Sequence, residues 1–134
     1  MSADDNVKTI QRVYEAFGRG DVAAILDTVN DDVDWATEAA STDAPWWGVR
    51  TDKGGVTEFF TQIATNLEVL EFTPLAMVGK DDDVLAVIHF RAKATKTGKT
   101  VDMELHHHFH FVGGKISRYR GTEDTLQTQR ALES

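Results

Sequence analysis

Two strand-like runs near the end of the chain, Val84 to Lys96 and Thr100 to Val112, are joined by a Thr97-Gly98 pair and carry the histidines His89, His106, His107, His108 and His110. A two-residue hairpin turn there sets the register of both strands and assigns every side chain a face. With Lys96 paired to Lys99, Ala86, Ile88 and Phe90 share one apolar face with Phe109, His107 and Leu105. The other face places Arg91 across from Glu104, Lys93 across from Asp102 and His89 across from His106, with His108 and His110 continuing the row. Opposite charges at that spacing support the register. His107 is thus the histidine set on the apolar face, where a polar group needs a partner or a task.

The elements before this hairpin follow from periodicity. Val7, Ile10, Val13, Tyr14 and Phe17 recur at helical spacing from Asp4 to Phe17, with Gly18 and Gly20 beyond the last turn. Asp21 is placed to cap a short second helix through Val29, whose Ile25, Leu26 and Val29 would lie on the first. Val33 to Thr37 reads as a strand carrying Trp35, and Ser41 to Trp47 as a loop closed by Gly48. A third helix, from Gly54 or Gly55 to Asn66, presents Val56, Phe59, Phe60 and Ile63 with Leu67 on one stripe. Glu68 to Val78 is a strand interrupted by Pro74, which predicts an edge position or a bulge. Val112-Gly113-Gly114-Lys115 is a second tight turn, feeding a strand from Lys115 to about Glu123 and a polar tail. Helices followed by a meander of long strands predict an α+β fold, with helices on one face of a curved, mostly antiparallel sheet.

Composition narrows the function classes. At 134 residues the chain is expected to form a single domain spanning 1–134, burying roughly two-thirds of its unfolded surface. A hydrophobic fraction of 41% and a charged fraction of 27% are ordinary for a globular protein. The formal net charge of −8 argues against nucleic acid as a partner, because phosphate binding needs clustered Lys and Arg. No run is long and apolar enough for a membrane helix, and Met-Ser-Ala-Asp-Asp lacks the order of a signal peptide, so a cytoplasmic location is expected. The absence of cysteine removes disulfides and thiolate chemistry. Gly54-Gly55 and Gly113-Gly114 lack the spacing of a phosphate-binding loop.

Val13-Tyr14-Glu15-Ala16-Phe17 with Gly20-Asp21-Val22, then Asp32-Val33-Asp34-Trp35, Thr97-Gly98-Lys99, Phe109-His110-Phe111, Gly114-Lys115-Ile116 and Asp124 occur in this order over nearly the whole chain. In this the chain resembles the SnoaL-like and ketosteroid isomerase-like proteins of the nuclear transport factor 2-like superfamily. The resemblance implies a cone-shaped α+β barrel of cystatin-like type, a cavity between helices and sheet, and a homodimer through the outer sheet face. It implies no single reaction, since such proteins include isomerases, cyclases, hydrolases and non-catalytic binders.

The resemblance also implies that a histidine on the penultimate strand and an aspartate on the last line the cavity, which points to His107 and Asp124. Pairing Val112 with Lys115 places Arg120 across from His107, with Ile116, Arg118, Thr122 and Asp124 on the same side. A bulge would reverse this and turn Tyr119 inward. The plain register makes Asp124, His107 and Arg120 the catalytic candidates: Asp124 or His107 removes a proton beside a carbonyl, and Arg120 steadies the enolate. The alternative is an Arg120–Asp124 ion pair, or a capping Asp124, with His107 a satisfied core residue. Trp35, Tyr14, Phe17, Phe59, Phe60 and Phe109 are the candidate substrate contacts, Tyr14 being equally a core residue. Trp46-Trp47 would be a lid or a cover over the core, and Glu38 an exposed carboxylate. The outward row of His89, His106, His108 and His110 has strand spacing suited to metal, but lacks a dry pocket and a third ligand, so packing is the expectation and no metal or other cofactor is assigned. The expected function is binding of a small, largely apolar, carbonyl-bearing molecule, with cofactor-free isomerase or cyclase chemistry or, alternatively, binding or dimerisation alone.

Overall fold

The structure, a computed structural model, describes residues 2–134. The first helix, α1 (Ala3–Gly18), begins at a capping box in which Ser2 and Asp5 satisfy each other's backbone N–H groups. Its apolar stripe of Ile10, Val13 and Tyr14 is buried. Asp21 caps α2 (Val22–Leu26) through Ala24 N. This helix is shorter than its sequence suggests, because Val29 opens the strand β1 (Val29–Thr37). A short strand β2 (Gly48–Arg50) precedes α3 (Lys53–Asn66), whose N-cap Asp52 accepts from Gly55 N at 2.7 Å. Four long strands follow, β3 (Leu67–Lys80), β4 (Asp83–Ala94), β5 (Thr100–Val112) and β6 (Lys115–Thr122), and then the helix α4 (Thr125–Leu132). Among the described residues, no helix is long and apolar enough to cross a membrane.

The fold is α+β. Its six strands form one mixed sheet in the order β2-β1-β6-β5-β4-β3, with β1 parallel to β6 and the other neighbours antiparallel. The sheet stays open between β2 and β3. Pro74 lies on the edge strand β3 next to a register shift between Pro74 and Ala76, with another between Val69 and Glu71. Both devices expected of a strand proline, edge and bulge, are therefore present. The inner face, with Trp35, Ile88, Phe109 and Ile116, packs against Ile10, Val13, Val56 and Phe59 of the helices to form the core.

Two details of register decide which residues can meet. The β4–β5 turn is a four-residue loop, Thr95 to Gly98, closed by Ala94 N to Lys99 O at 2.8 Å and Gly98 N to Ala94 O at 2.9 Å. Gly98 supplies the positive φ of 76° that the loop needs. The strands consequently slip by two residues from the two-residue expectation: Arg91 lies opposite Asp102, His89 opposite Glu104 and Ala86 opposite His107. A slip of two preserves the faces, so His107 still points inward with Leu105 and Phe109. In the β5–β6 hairpin Val112 pairs with Lys115 and Phe111 with Ile116, but His110 pairs with Arg118. Ser117 is the extra residue. This bulge exchanges the faces beyond it, turning Tyr119 and Gly121 inward and Arg120 outward.

Candidate active site

A cavity of about 80 Å³ lies between the inner sheet face and the helices. Its walls carry the aromatic rings of Trp35, Phe59, Phe60, Phe72, Phe109 and Tyr119. Period-2 alternation brings Leu105, His107 and Phe109 to the wall from β5, and the bulge adds Tyr119 and Gly121 from β6. Trp35 and Tyr119 sit side by side on the parallel strands β1 and β6 with ring centroids 4.3 Å apart. A Cβ on Gly121 would fall 2.1 Å from the Tyr119 hydroxyl and 3.4 Å from His107 Cδ2. Only glycine leaves room for the phenol to fold back beside the imidazole.

The Tyr14 hydroxyl, reaching in from α1, meets His107 Nδ1 at 2.8 Å. Burial, assisted by neighbouring His106, pushes His107 down to about 3, so the ring is neutral at physiological pH. Burial likewise holds the Tyr14 phenol far above its ordinary value, and Tyr119 adds to the effect. The phenol has no other acceptor among the described residues, so we assign it as the donor to Nδ1, which places the imidazole proton on Nε2. The indole N–H of the buried Trp35, another lining residue, has no acceptor among the described residues.

One carboxylate borders the cavity. Glu123 Oε1 accepts from Trp46 Nε1 at 3.1 Å and from Trp47 Nε1 at 3.2 Å, while Oε2 accepts from Thr128 Oγ1. The loop before β2, the end of β6 and α4 thus converge on one side chain. Trp46, Glu123, Thr128 and Leu132 form the adjoining wall of the cavity.

The SnoaL-like domain family matches residues 10–119. The chain belongs to the SnoaL-like family. Solved structures agree on the fold. An NTF2-like protein of unknown function from Burkholderia pseudomallei is 21% identical over 100% of both chains, with a TM-score of 0.90. TerC, co-crystallised with polyporic acid, is 22% identical over 97% of this chain and 99% of its own, with a TM-score of 0.86. A candidate polyketide cyclase from Xanthomonas campestris pv. campestris is 16% identical over 98% of both chains, with a TM-score of 0.80. No curated protein matches the sequence.

Within this SnoaL-like domain, Trp35, Tyr14, Phe17, Phe59, Phe60, Phe109 and His107 all line the cavity. Arg120 and Asp124 do not, which corrects the grouping expected from the plain register. The Ser117 bulge sends Arg120 to the outer face, where Nη2 bonds both Asp34 carboxylate oxygens at 2.9 Å and Nε lies 3.3 Å from Glu38. Asp124 caps α4, its carboxylate accepting from Gln127 N at 3.2 Å. Glu38 is the exposed loop carboxylate expected, its side chain 59% exposed, and it pairs with Arg120. Glu123 is the site residue that sequence reasoning missed. Its neighbour Asp124 drew attention by residue type, and the only local signal for Glu123 was its place beside the end of the last strand.

The outward histidines of the SnoaL-like sheet are tied to carboxylates. His89 bridges Glu71 at 2.6 Å and Asp102 at 2.7 Å, and Asp83 Oδ1 lies 2.8 Å from His108 and 3.0 Å from His110. Hydrogen bonds to Asp102 and Glu71 raise His89 above its ordinary value. The bond from His89 lowers Glu71, and those from His108 and His110 lower Asp83. These contacts cross-link β3, β4 and β5. Among the described residues, no group of three or more His, Cys, Asp or Glu is arranged to hold a metal ion.

Proposed function

We propose that the cavity binds a small, largely apolar molecule through a hydrogen-bond-accepting oxygen, carbonyl or phenolic, that takes its bond from the neutral His107. The observation carrying this reading is the Tyr14–His107 pair, set in a largely apolar wall that also holds the buried, unpartnered N–H of Trp35. A buried donor without an acceptor is costly, and a ligand oxygen relieves that cost. The unpaired N–H of Trp35 offers a second donor in the same lining. Phe59, Phe60, Phe109 and Trp35 offer aromatic faces against which a planar body would pack once the wall yields.

Proton-transfer chemistry of isomerase or cyclase type is the second reading. Glu123 favours it, as a carboxylate on the cavity wall that could accept a proton from a carbon beside the carbonyl while His107 donates to the oxygen. Three of its acceptor sites are committed to Trp46, Trp47 and Thr128, which leaves one on Oε2 and makes the carboxylate a weaker base. Binding is therefore the primary reading. The cyclase designation of a fold neighbour is compatible with either.

Titration with 2-naphthol, followed by tryptophan fluorescence, tests the reading. Tyr14→Phe frees the imidazole of its partner while keeping the ring, and His107→Gln removes the imidazole. Each should weaken binding about fivefold to tenfold, the worth of one hydrogen bond. Asp124→Asn should change nothing. Because His107 titrates near 3, wild-type affinity should stay level from pH 8 to pH 5. A loss of affinity centred near pH 6.5, or full affinity in both variants, would overturn the assignment.

The homodimer implied by the family resemblance is also proposed. Its support on the outer face is the exposed apolar pair Val78 and Leu85, beside Val87, His106 and His108.

A further inference from the structure

The cavity is smaller than the molecules it is proposed to hold. An apolar protein cavity that admits benzene measures roughly 150 Å³, against about 80 Å³ here. A ligand must therefore displace part of the wall, and one stretch of that wall is shared with a groove on the outside. Outside α1 and β3 runs a groove lined by Gln11, Tyr14 and Glu15 from the helix and by Phe72, Pro74, Leu75, Ala76 and Met77 from the strand. Tyr14 and Phe72 line both this groove and the cavity. Their edge-to-face contact, with centroids 5.1 Å apart, is the partition between the two spaces.

Phe72 is the movable half of that partition. It is half-buried, whereas Tyr14 is buried and held by His107. It lies on an edge strand paired on one side only, between the register shifts at Val69/Glu71 and Pro74/Ala76. Unpaired bulge residues weaken the ladder on either side of it. The second bulge also leaves Leu75 56% exposed at the groove.

We infer that the ligand enters between α1 and β3 by turning Phe72 aside, and that it is an elongated molecule whose oxygen-bearing ring sits at Tyr14 and His107 while an apolar tail lies in the α1–β3 groove over Leu75 and Met77. This deepens the binding reading above and rests on it. Leu75, Pro74 and Met77 supply the apolar contact, and Glu15 on the rim disfavours a tail ending in an anion.

Calorimetric titration of the full chain with phenol and with 4-pentylphenol separates the two claims. Each methylene buried should tighten binding roughly fourfold at most. In an open groove the pentyl chain is expected to gain at least tenfold overall. Leu75→Asp, at an exposed position, should abolish that gain and leave phenol affinity unchanged. Phe72→Ala should speed association of 4-pentylphenol. Val112→Asp, at an exposed apolar position on β5, controls for non-specific adhesion and should alter neither ligand. Phenol binding that depends on Tyr14, with no gain from the chain, overturns the groove and preserves the cavity reading. A gain that survives Leu75→Asp places the tail elsewhere and also overturns the groove. Failure of both ligands to bind overturns both claims.

Discussion

His107 combines a legible position with an illegible environment. Alternation with Leu105 and Phe109 along β5 places it inward, and the observed slip, being an even number of residues, preserves that face across the hairpin. Its partner could not be read off, since Tyr14 lies 93 positions away and meets it only through packing of α1. Arg120 shows the converse: a single extra residue at Ser117, with no glycine or proline to announce it, reverses its face. The enclosure of His107 makes a prediction about stability. Its folded value of about 3 lies below the unfolded 6.5, so below pH 6.5 the unfolded chain takes up a proton that the folded one refuses. Stability should fall by up to ~1.4 kcal/mol per pH unit as pH drops from 6.5 towards 3. His89 acts in the opposite sense: its raised value contributes stability that is full below 6.5 and is lost as pH rises through the folded value. That residue is solvent-exposed in its ion pairs, so His107 should dominate. Urea unfolding at pH 6.5 and 5.0 checks this, a window above the ordinary carboxylate range. Wild type should lose stability, and His107→Gln should lose at least ~1 kcal/mol less. Equal losses would mean that the imidazole accepts a proton in the folded state.

At the scale of elements, the strands and the first three helices follow from periodicity, whereas β2 and α4 do not. β2 is three residues long, too short for alternation to register. α4 has only Leu126, Ala131 and Leu132 as apolar residues in eight positions, so its sequence reads as a polar tail. Its anchorage is tertiary: Asp124 caps it, Thr97 Oγ1 donates to Ala131 O at 2.6 Å, and Thr128 joins the Glu123 clasp. Thr97 also suggests why the β4–β5 loop is longer than a two-residue turn, since that loop reaches α4. If the clasp holds α4 in place, Glu123→Ala should leave both indole N–H groups and the Thr128 hydroxyl without their acceptor, costing roughly 2–4 kcal/mol. Amide exchange should accelerate in α4 and the 41–47 loop while β4 and β5 remain protected. Thr128→Val, which removes one of the three bonds, should cost about 1 kcal/mol. Uniform loss of protection across the sheet would instead make Glu123 a general core determinant.

At the scale of the molecule, one sheet face is committed to the cavity and the other is left to solvent or to a partner. Helix stripes and strand alternation made the layered α+β arrangement readable, but not whether the sheet closes, because closure depends on strand pairing at its far edges. The open face has two unlike regions. Ion pairs dominate one, with Arg120 only 17% exposed in its side chain against Asp34 and Glu38, and with His89 between Glu71 and Asp102. Val78 and Leu85, 59% and 50% exposed, form the other with Val87 at the β3–β4 end. With a net charge of −8, two chains repel at long range, so association needs local apolar contact and the paired charges nearby to cancel. The proposed homodimer therefore predicts a specific sensitivity. Sedimentation should give a dimer that strengthens with added salt, since screening relieves the net repulsion and leaves apolar contact intact. Leu85→Asp should yield a folded monomer with an unchanged far-ultraviolet spectrum. Val49→Asp, also exposed but on β2 at the far edge of the sheet, should remain dimeric. A wild-type chain that stays monomeric at high concentration in both low and high salt removes the dimer, and leaves Val78 and Leu85 as ordinary exposed residues.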